Sequence, residues 1–218
     1  LLVQPKFSHL GTSAVLFEVP DSLSVATQRR IWALAEAAET WPHIREAVSG
    51  VTNLMLLFDE PPRSTDWLQE RLLAHWEAGR STEREGRLVE IPVDYGGAGG
   101  PDLSAVAAAA GLSPDAVVDL HCAPVYTVYA VGSHPGFAYL AELDERLFIP
   151  RRAVPLLNMP QGSVSLAGRQ TGVSASAGPT GWHTIGHTDF TFFDPALRPP
   201  AALISGDRVR FAPRSVMS

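Results

Sequence analysis

The sequence predicts an α+β protein of two domains, on three observations. Apolar residues follow first strand and then helix periodicity, repeatedly, over roughly the first ninety positions. A glycine-rich loop, Asp94 to Pro101, then breaks the pattern. Beyond it, two short helical patterns give way to brief apolar stretches separated by Gly, Pro and Ser, as in an all-β sandwich or barrel.

Taken in order, Ala14 to Val19 is short, partly β-branched and stopped by Pro20, which predicts a strand. Ile31, Leu34, Ala35 and Ala38 recur at i, i+3, i+4 and i+7, one apolar stripe on a helix. Ile44 to Val48 and Leu54 to Phe58 read as strands joined by a turn over residues 50–53. Ser64, Thr65 and Asp66 offer N-caps to a second helix, with Leu68, Leu72 and Trp76 on one face and Gly79 as its C′ residue. Leu88 to Val93 reads as a fourth strand. The order β-α-β-β-α-β is the ferredoxin-like split unit, so residues 1–93 are expected to form a ferredoxin-like α+β domain.

The second domain is expected over residues 94–218, with two leading helices. Asp102 is the expected N-cap of the first, which ends at Gly111; Ser113 followed by Pro114 starts the second, which ends near Cys122. Strands are expected over Val125 to Val131, Ser163 to Ala167, Trp182 to Ile185, Phe190 to Phe193 and Val209 to Phe211.

Composition removes competing functions. A formal net charge of −6 and the lack of a basic tract argue against nucleic-acid binding. No apolar run approaches the ~20 residues of a membrane span, and no signal-peptide pattern is visible. The single cysteine, Cys122, fits a reducing cytoplasm. Lys6 is the only lysine, so the chain has no P-loop lysine and no lysine suited to carrying biotin. Any phosphate must be met by arginines, backbone N–H groups or a metal.

A series of motifs runs through the second domain. His134-Pro135-Gly136-Phe137-Ala138-Tyr139-Leu140 comes first, then Pro150-Arg151, Gly162-Ser163-Val164 and Ala167-Gly168-Arg169-Gln170-Thr171-Gly172. Gly181-Trp182-His183-Thr184-Ile185-Gly186-His187-Thr188, Phe193-Asp194-Pro195, Pro199-Pro200 and Gly206-Asp207-Arg208-Val209-Arg210-Phe211 complete the set. Upstream, Ile91 to Gly97, Gly100-Pro101-Asp102-Leu103 and Leu120 to Pro124 extend it. In this order the motifs resemble the 5-oxoprolinase B-subunit family, also labelled KipI or allophanate hydrolase subunit 1. The resemblance implies a cyclophilin-like β-barrel for the second domain and a C-type partner (KipA, or allophanate hydrolase subunit 2) with a barrel of the same type. It further implies a third, A-type partner, and ATP, with Mg, as co-substrate for opening 5-oxoproline to glutamate. The isolated chain is then expected to be inactive. Two other readings stay open: a KipI-type protein that inhibits a sensor histidine kinase, and half of a carboxyltransferase related to urea carboxylase.

The resemblance carries the site expectations. His134, Gln170 and His183 are the catalytic candidates; Pro135, Gly136, Phe137, Tyr139, Thr171, Gly172, Trp182 and His187 are the candidates for binding a small amide substrate. His134 stands before a Pro-Gly turn, where loops carry function, though the same residue is also a plain surface histidine in a rigid turn. Gln170 and Thr171 lie between glycines, which let a substrate approach the backbone, or form an ordinary turn. Trp182 suits either core packing or stacking on substrate. His183 and His187 have the i, i+4 spacing of a helical metal pair, but on a strand that spacing covers roughly 13 Å, so no shared metal is expected. His121 is expected to favour a helix C-terminal dipole, and Cys122 is no nucleophile. The sequence departs from the family pattern at Thr180 in Pro179-Thr180-Gly181-Trp182, at His187 and Leu156 where arginine is usual, and at Met159-Pro160-Gln161 in place of Val-Pro-Ala.

Overall fold

The computed structural model describes residues 4–20, 23–84 and 86–217. The chain divides into two compact units, Leu1–Arg84 and Glu85–Ser218.

In the first unit, β1 (Lys6–Leu10) and β2 (Ala14–Glu18) form a hairpin, followed by α1 (Val25–Ala38), β3 (Ile44–Ser49), β4 (Asn53–Phe58) and α2 (Asp66–Glu77). The four strands make an antiparallel sheet in the order β1-β2-β4-β3. Alternate residues of β2 and β4 (Val15, Phe17, Leu54, Leu56 and Phe58) are buried against the helical stripe of Ile31, Leu34, Ala35 and Ala38 and against Leu68, Leu72 and Trp76. Buried Gln28 ties α1 to the β3–β4 turn: its amide nitrogen donates to Gly50 O (3.0 Å) and its oxygen accepts from Thr52 N (2.9 Å). The strand at Leu88 expected to complete this sheet does not join it. β1 holds the edge position beside β2 instead, and its mostly exposed side chains gave no periodic signal.

The second unit contains β5 (Leu88–Gly96), a 3₁₀ turn (Gly97–Gly99), α3 (Leu103–Ala110), α4 (Pro114–Cys122), β6 (Tyr126–Val131), β7 (Ala138–Ala141), β8 (Leu156–Met159), β9 (Ser163–Ala167), β10 (Gln170–Val173), β11 (Gly178–Thr180), β12 (His183–His187) and β13 (Arg208–Met217). Seven strands close into a barrel in the order β10-β7-β6-β13-β5-β12-β9, while β8 and β11 pair as a separate ribbon. β5 runs parallel to β13 and antiparallel to β12, which is why the division between units falls ahead of it rather than at residue 93. The interior is filled by Ile91, Val93, Tyr95, Tyr126, Val128, Leu140, Val164, Leu166, Val173, Ile185, Val209 and Phe211, with Leu103, Val106, Val117 and Val118 of the two helices in the same cluster. Residues 190–193 are not a strand; Phe193 makes only an isolated bridge to Ala201. Ser113 caps α4 by accepting from Ala116 N, as the Ser-Pro start predicts.

Among the described residues no single helix is long and apolar enough to cross a membrane; α3 and α4 are separated by a 91° bend.

Candidate functional site

Strand alternation sets where the site lies. On β9, Val164 and Leu166 belong to the barrel interior, so Ser165 between them faces outward. The same alternation on β7 sends Leu140 inward and Tyr139 outward, and on β10 it sends Val173 inward and Gly172 outward. Of these outward residues Ser165 and Gly172 are nonetheless buried and Tyr139 is half-buried, because the β8–β11 ribbon and the turn at 133–137 border them. A cavity of about 180 Å³ results, lined by residues that include His134, Phe137, Tyr139, Arg151, Met159, Ser165, Gly172, Ser174, Thr180 and Trp182. That is below the ~300–1,000 Å³ of pockets for drug-sized ligands and suits a small metabolite.

Its walls are aromatic. Phe137 meets Tyr139 edge-on at 4.8 Å between centroids and Trp182 edge-on at 6.0 Å, while the His134 ring sits 5.0 Å from Phe137. Gly172 makes room for them, since a Cβ there would lie 3.3 Å from Phe137 Cζ and 3.4 Å from Trp182 Cζ3. Gly136 is needed for its φ of +81° and because a Cβ would lie 2.8 Å from Phe192 O. The one formal charge among the described lining residues is Arg151, whose guanidinium lies 5.8 Å from the Trp182 ring. Burial lowers the His134 pKa, so the imidazole is neutral at neutral pH. Its Nε2 is buried and has no hydrogen-bond partner among the described residues, and the same holds for Gln170 Nε2.

The structure therefore brings His134, Phe137, Tyr139, Gly172 and Trp182 of the expected set to one cavity. Gly136 shapes the turn and Pro135 is exposed on it. Gln170 shares the outward face of β10 but does not line the cavity. His183 and His187 do not reach it either; their Nε2 atoms bond the carbonyl oxygens of Pro150 and Gln161, each at 3.0 Å. Thr171 faces the barrel interior and is fully committed there. Its hydroxyl donates to Ser165 O (3.0 Å) and accepts from His121 Nε2 (2.8 Å), while His121 Nδ1 accepts from the Tyr95 hydroxyl (2.7 Å). His121 is thus no partner of a helix dipole: it is wholly buried, with burial pushing its pKa down to about 3, so it is neutral. Cys122 lies 3.3 Å from the Tyr95 hydroxyl, with its thiol pKa raised by burial, the opposite of an activated nucleophile.

Arg151, Met159, Ser165, Ser174 and Thr180 were missed as site residues. Arg151 and Ser165 stand in readable segments, but only the ribbon over the barrel wall brings them together. Among the described residues no group of three His, Cys, Asp or Glu side chains stands ready to hold a metal.

Residues 5–203 match the family model described as carboxyltransferase domain, subdomain C and D. The chain is 46% identical over 205 residues to the B subunit of 5-oxoprolinase from Escherichia coli O157:H7, covering 94% of each. It superposes on the crystal structure of TTHA0988 with a TM-score of 0.77 at 36% identity, over 93% of this chain and 40% of that one, so it spans about two-fifths of that solved chain. It superposes on Kluyveromyces lactis urea carboxylase with a TM-score of 0.81 over 97% of this chain and 22% of that one; at 17% identity this likeness is one of fold.

Proposed function

The chain belongs to the 5-oxoprolinase B-subunit family of carboxyltransferase subdomain C and D proteins, and on that premise we propose that it supplies the lactam-binding site of an ATP-dependent 5-oxoprolinase. In this reading it works beside a C-type and an A-type partner, with ATP and Mg as co-substrate.

The observation that carries the reading is the pairing, in one small cavity, of a neutral imidazole with a guanidinium and an aromatic wall. 5-Oxoproline is a planar lactam bearing a carboxylate. Arg151 at the cavity suits the carboxylate, and the faces of Phe137, Tyr139 and Trp182 suit the ring. An amide carbonyl is a poor electrophile, so hydrolysis needs its oxygen converted to a leaving group. As the lactam oxygen takes the γ-phosphoryl group of ATP, His134 takes the N–H proton, leaving ADP and an O-phosphorylated imidate. Water then adds to the carbon, the C–N bond breaks as the nitrogen takes back the proton from His134, and the ring opens to the γ-acyl phosphate of glutamate, which a second water hydrolyses to glutamate and phosphate. A base that burial keeps unprotonated at neutral pH fits the first step. Positioning and charge neutralisation are the main demands of the phosphoryl transfer itself.

The test is glutamate release from 5-oxoproline and ATP by the chain mixed with its A-type and C-type partners, each omitted in turn. Release should require all three, and His134→Ala should lower the rate by about 10² to 10⁴ with the complex intact. A folded, complete complex that releases no glutamate would refute the assignment and shift attention to another amide substrate.

A further inference from the structure

The floor of the cavity carries an arrangement the proposed chemistry has not used. The Met159 thioether sulfur, 6% exposed as a residue, is met by three hydroxyls: Thr184 Oγ1 at 3.4 Å, Ser165 Oγ at 3.6 Å and Ser174 Oγ at 3.8 Å. Ser165 and Thr184 also lie 3.1 Å from each other. All three hydroxyl residues are under 5% exposed. A thioether is a weak acceptor, and buried hydroxyls ordinarily find a strong one. One of the Ser165 and Thr184 hydroxyls can donate to the other, so at least two of the three donors, Ser174 among them, are turned on the sulfur at long distance and are under-used.

Ser165, Ser174 and Met159 all line the cavity, whereas Thr184 does not; it touches two of these lining residues, Met159 and Ser165. Methionine is also the side chain best able to move aside, being unbranched and flexible. We propose that Ser165 and Ser174 form the oxygen-recognition floor of this site, and that Met159 is a displaceable plug which yields its place to a carbonyl or carboxylate oxygen of the ligand. The thioether keeps the donors in position in the free protein. A ligand oxygen exchanges their weak bonds for strong ones at the cost of turning one flexible side chain. The plug also limits depth, so Met159 sets the size of ring the site admits. This inference rests on reading the cavity as the substrate site.

The sequence contains three methionines, Met55, Met159 and Met217, so labelling their methyl carbons with ¹³C gives a small set of NMR resonances, with Met159 assigned from Met159→Leu. The probes are 5-oxoproline, 2-pyrrolidinone, which lacks the carboxylate, and acetate, which lacks the ring. Saturable movement of the Met159 resonance alone is expected with 5-oxoproline. Ser165→Ala and Ser174→Ala should each weaken that binding roughly tenfold while retaining the wild-type thermal midpoint. Met159→Ala should admit 6-oxopiperidine-2-carboxylate, one methylene larger. If calorimetry detects 5-oxoproline binding while Met159 stays unmoved and both serine variants bind normally, the plug is overturned and the proposed function stands. If 2-pyrrolidinone or acetate moves Met159 and 5-oxoproline does not, the floor is upheld and the 5-oxoproline assignment fails. If none of the three probes moves Met159, in the chain alone or in the assembled complex, the inference is wrong.

Discussion

Arg151 is exposed and sits where the cavity meets solvent, so its charge acts through water and its contribution should fall with salt. If it greets a carboxylate equally in ground and transition states, Arg151→Gln will raise KM for 5-oxoproline roughly tenfold and leave kcat nearly unchanged. The wild-type advantage should then shrink on going from about 50 to 500 mM salt, measured by steady-state kinetics of the complex. An unchanged KM would remove Arg151 from substrate recognition. Single residues also mark how far the sequence could be read. His134, Phe137 and Tyr139 were legible because they lie within one contiguous motif. The hydroxyls of Ser165 and Ser174 were not, because each sits between inward-facing or buried neighbours, and their meeting on Met159 depends on the ribbon crossing the barrel wall. The histidines of β12 were over-read for the converse reason: a histidine in a motif looks chemical, yet each ring nitrogen that reaches a partner here bonds a backbone carbonyl.

At the scale of elements, the segment that carries Trp182 is held by a clamp. Asp102 stands at the N-cap position of α3 but makes no side-chain cap bond. Its carboxylate instead accepts from Thr184 N (2.8 Å) and pairs with Arg152, while its own N–H donates to Thr184 O (2.9 Å). Arg152 in turn donates its Nε to Trp182 O (3.3 Å) and its backbone N–H to Gly181 O (2.8 Å). Helix start, arginine and strand are therefore tied at one point, mostly shielded from water, with side chains 13% and 22% exposed. Asp102→Ala leaves a guanidinium and an N–H without their acceptor and should cost about 2–4 kcal/mol, read as a lower thermal midpoint. Asp102→Asn, which keeps an acceptor for Thr184 N, should recover part of that loss. Equal midpoints for the alanine and asparagine variants would mean the clamp does not hold the strand. The helix boundaries here were legible from Gly111 and Ser113-Pro114, whereas the use of Asp102 was not. Local capping rules favoured the nearest N–H groups, and tertiary pairing with β12 won. The same contest misplaced Leu88 to Val93, whose apolar pattern marks a strand but cannot say which of two sheets it joins.

At the scale of the molecule, each unit has its own core: the residues of one cluster run from Val15 to Trp76 and those of the other from Ile91 to Phe211. All barrel partners of β5 lie beyond residue 85, so a chain of residues 85–218 should fold by itself. Inside that barrel, the His121 imidazole joins Tyr95 of β5 to Thr171 of β10, stacks on Phe211 of β13 at 4.6 Å, and its carbonyl accepts from the Tyr126 hydroxyl. Its pKa is about 3 in the fold, against an ordinary value of 6.5. Between these values the unfolded chain holds a proton that the folded one refuses. Stability from this group is therefore complete above pH 6.5 and is lost as the pH falls through 6.5 towards 3, by roughly 4–5 kcal/mol in all. That is a large share of the ~5–15 kcal/mol that holds a typical domain folded. Trp182 is the one tryptophan of residues 85–218, so its fluorescence reports the barrel without interference. The urea midpoint of this fragment should rise steeply from pH 4 to 6.5 and level off above. The slope should flatten in His121→Gln, which lacks the titrating ring and is expected to be less stable at pH 7. A fragment that unfolds without a cooperative transition would show that the barrel needs the rest of the chain. A midpoint flat across pH 4 to 6.5 in a cooperative fragment would show that the buried imidazole accepts its proton without disrupting the barrel.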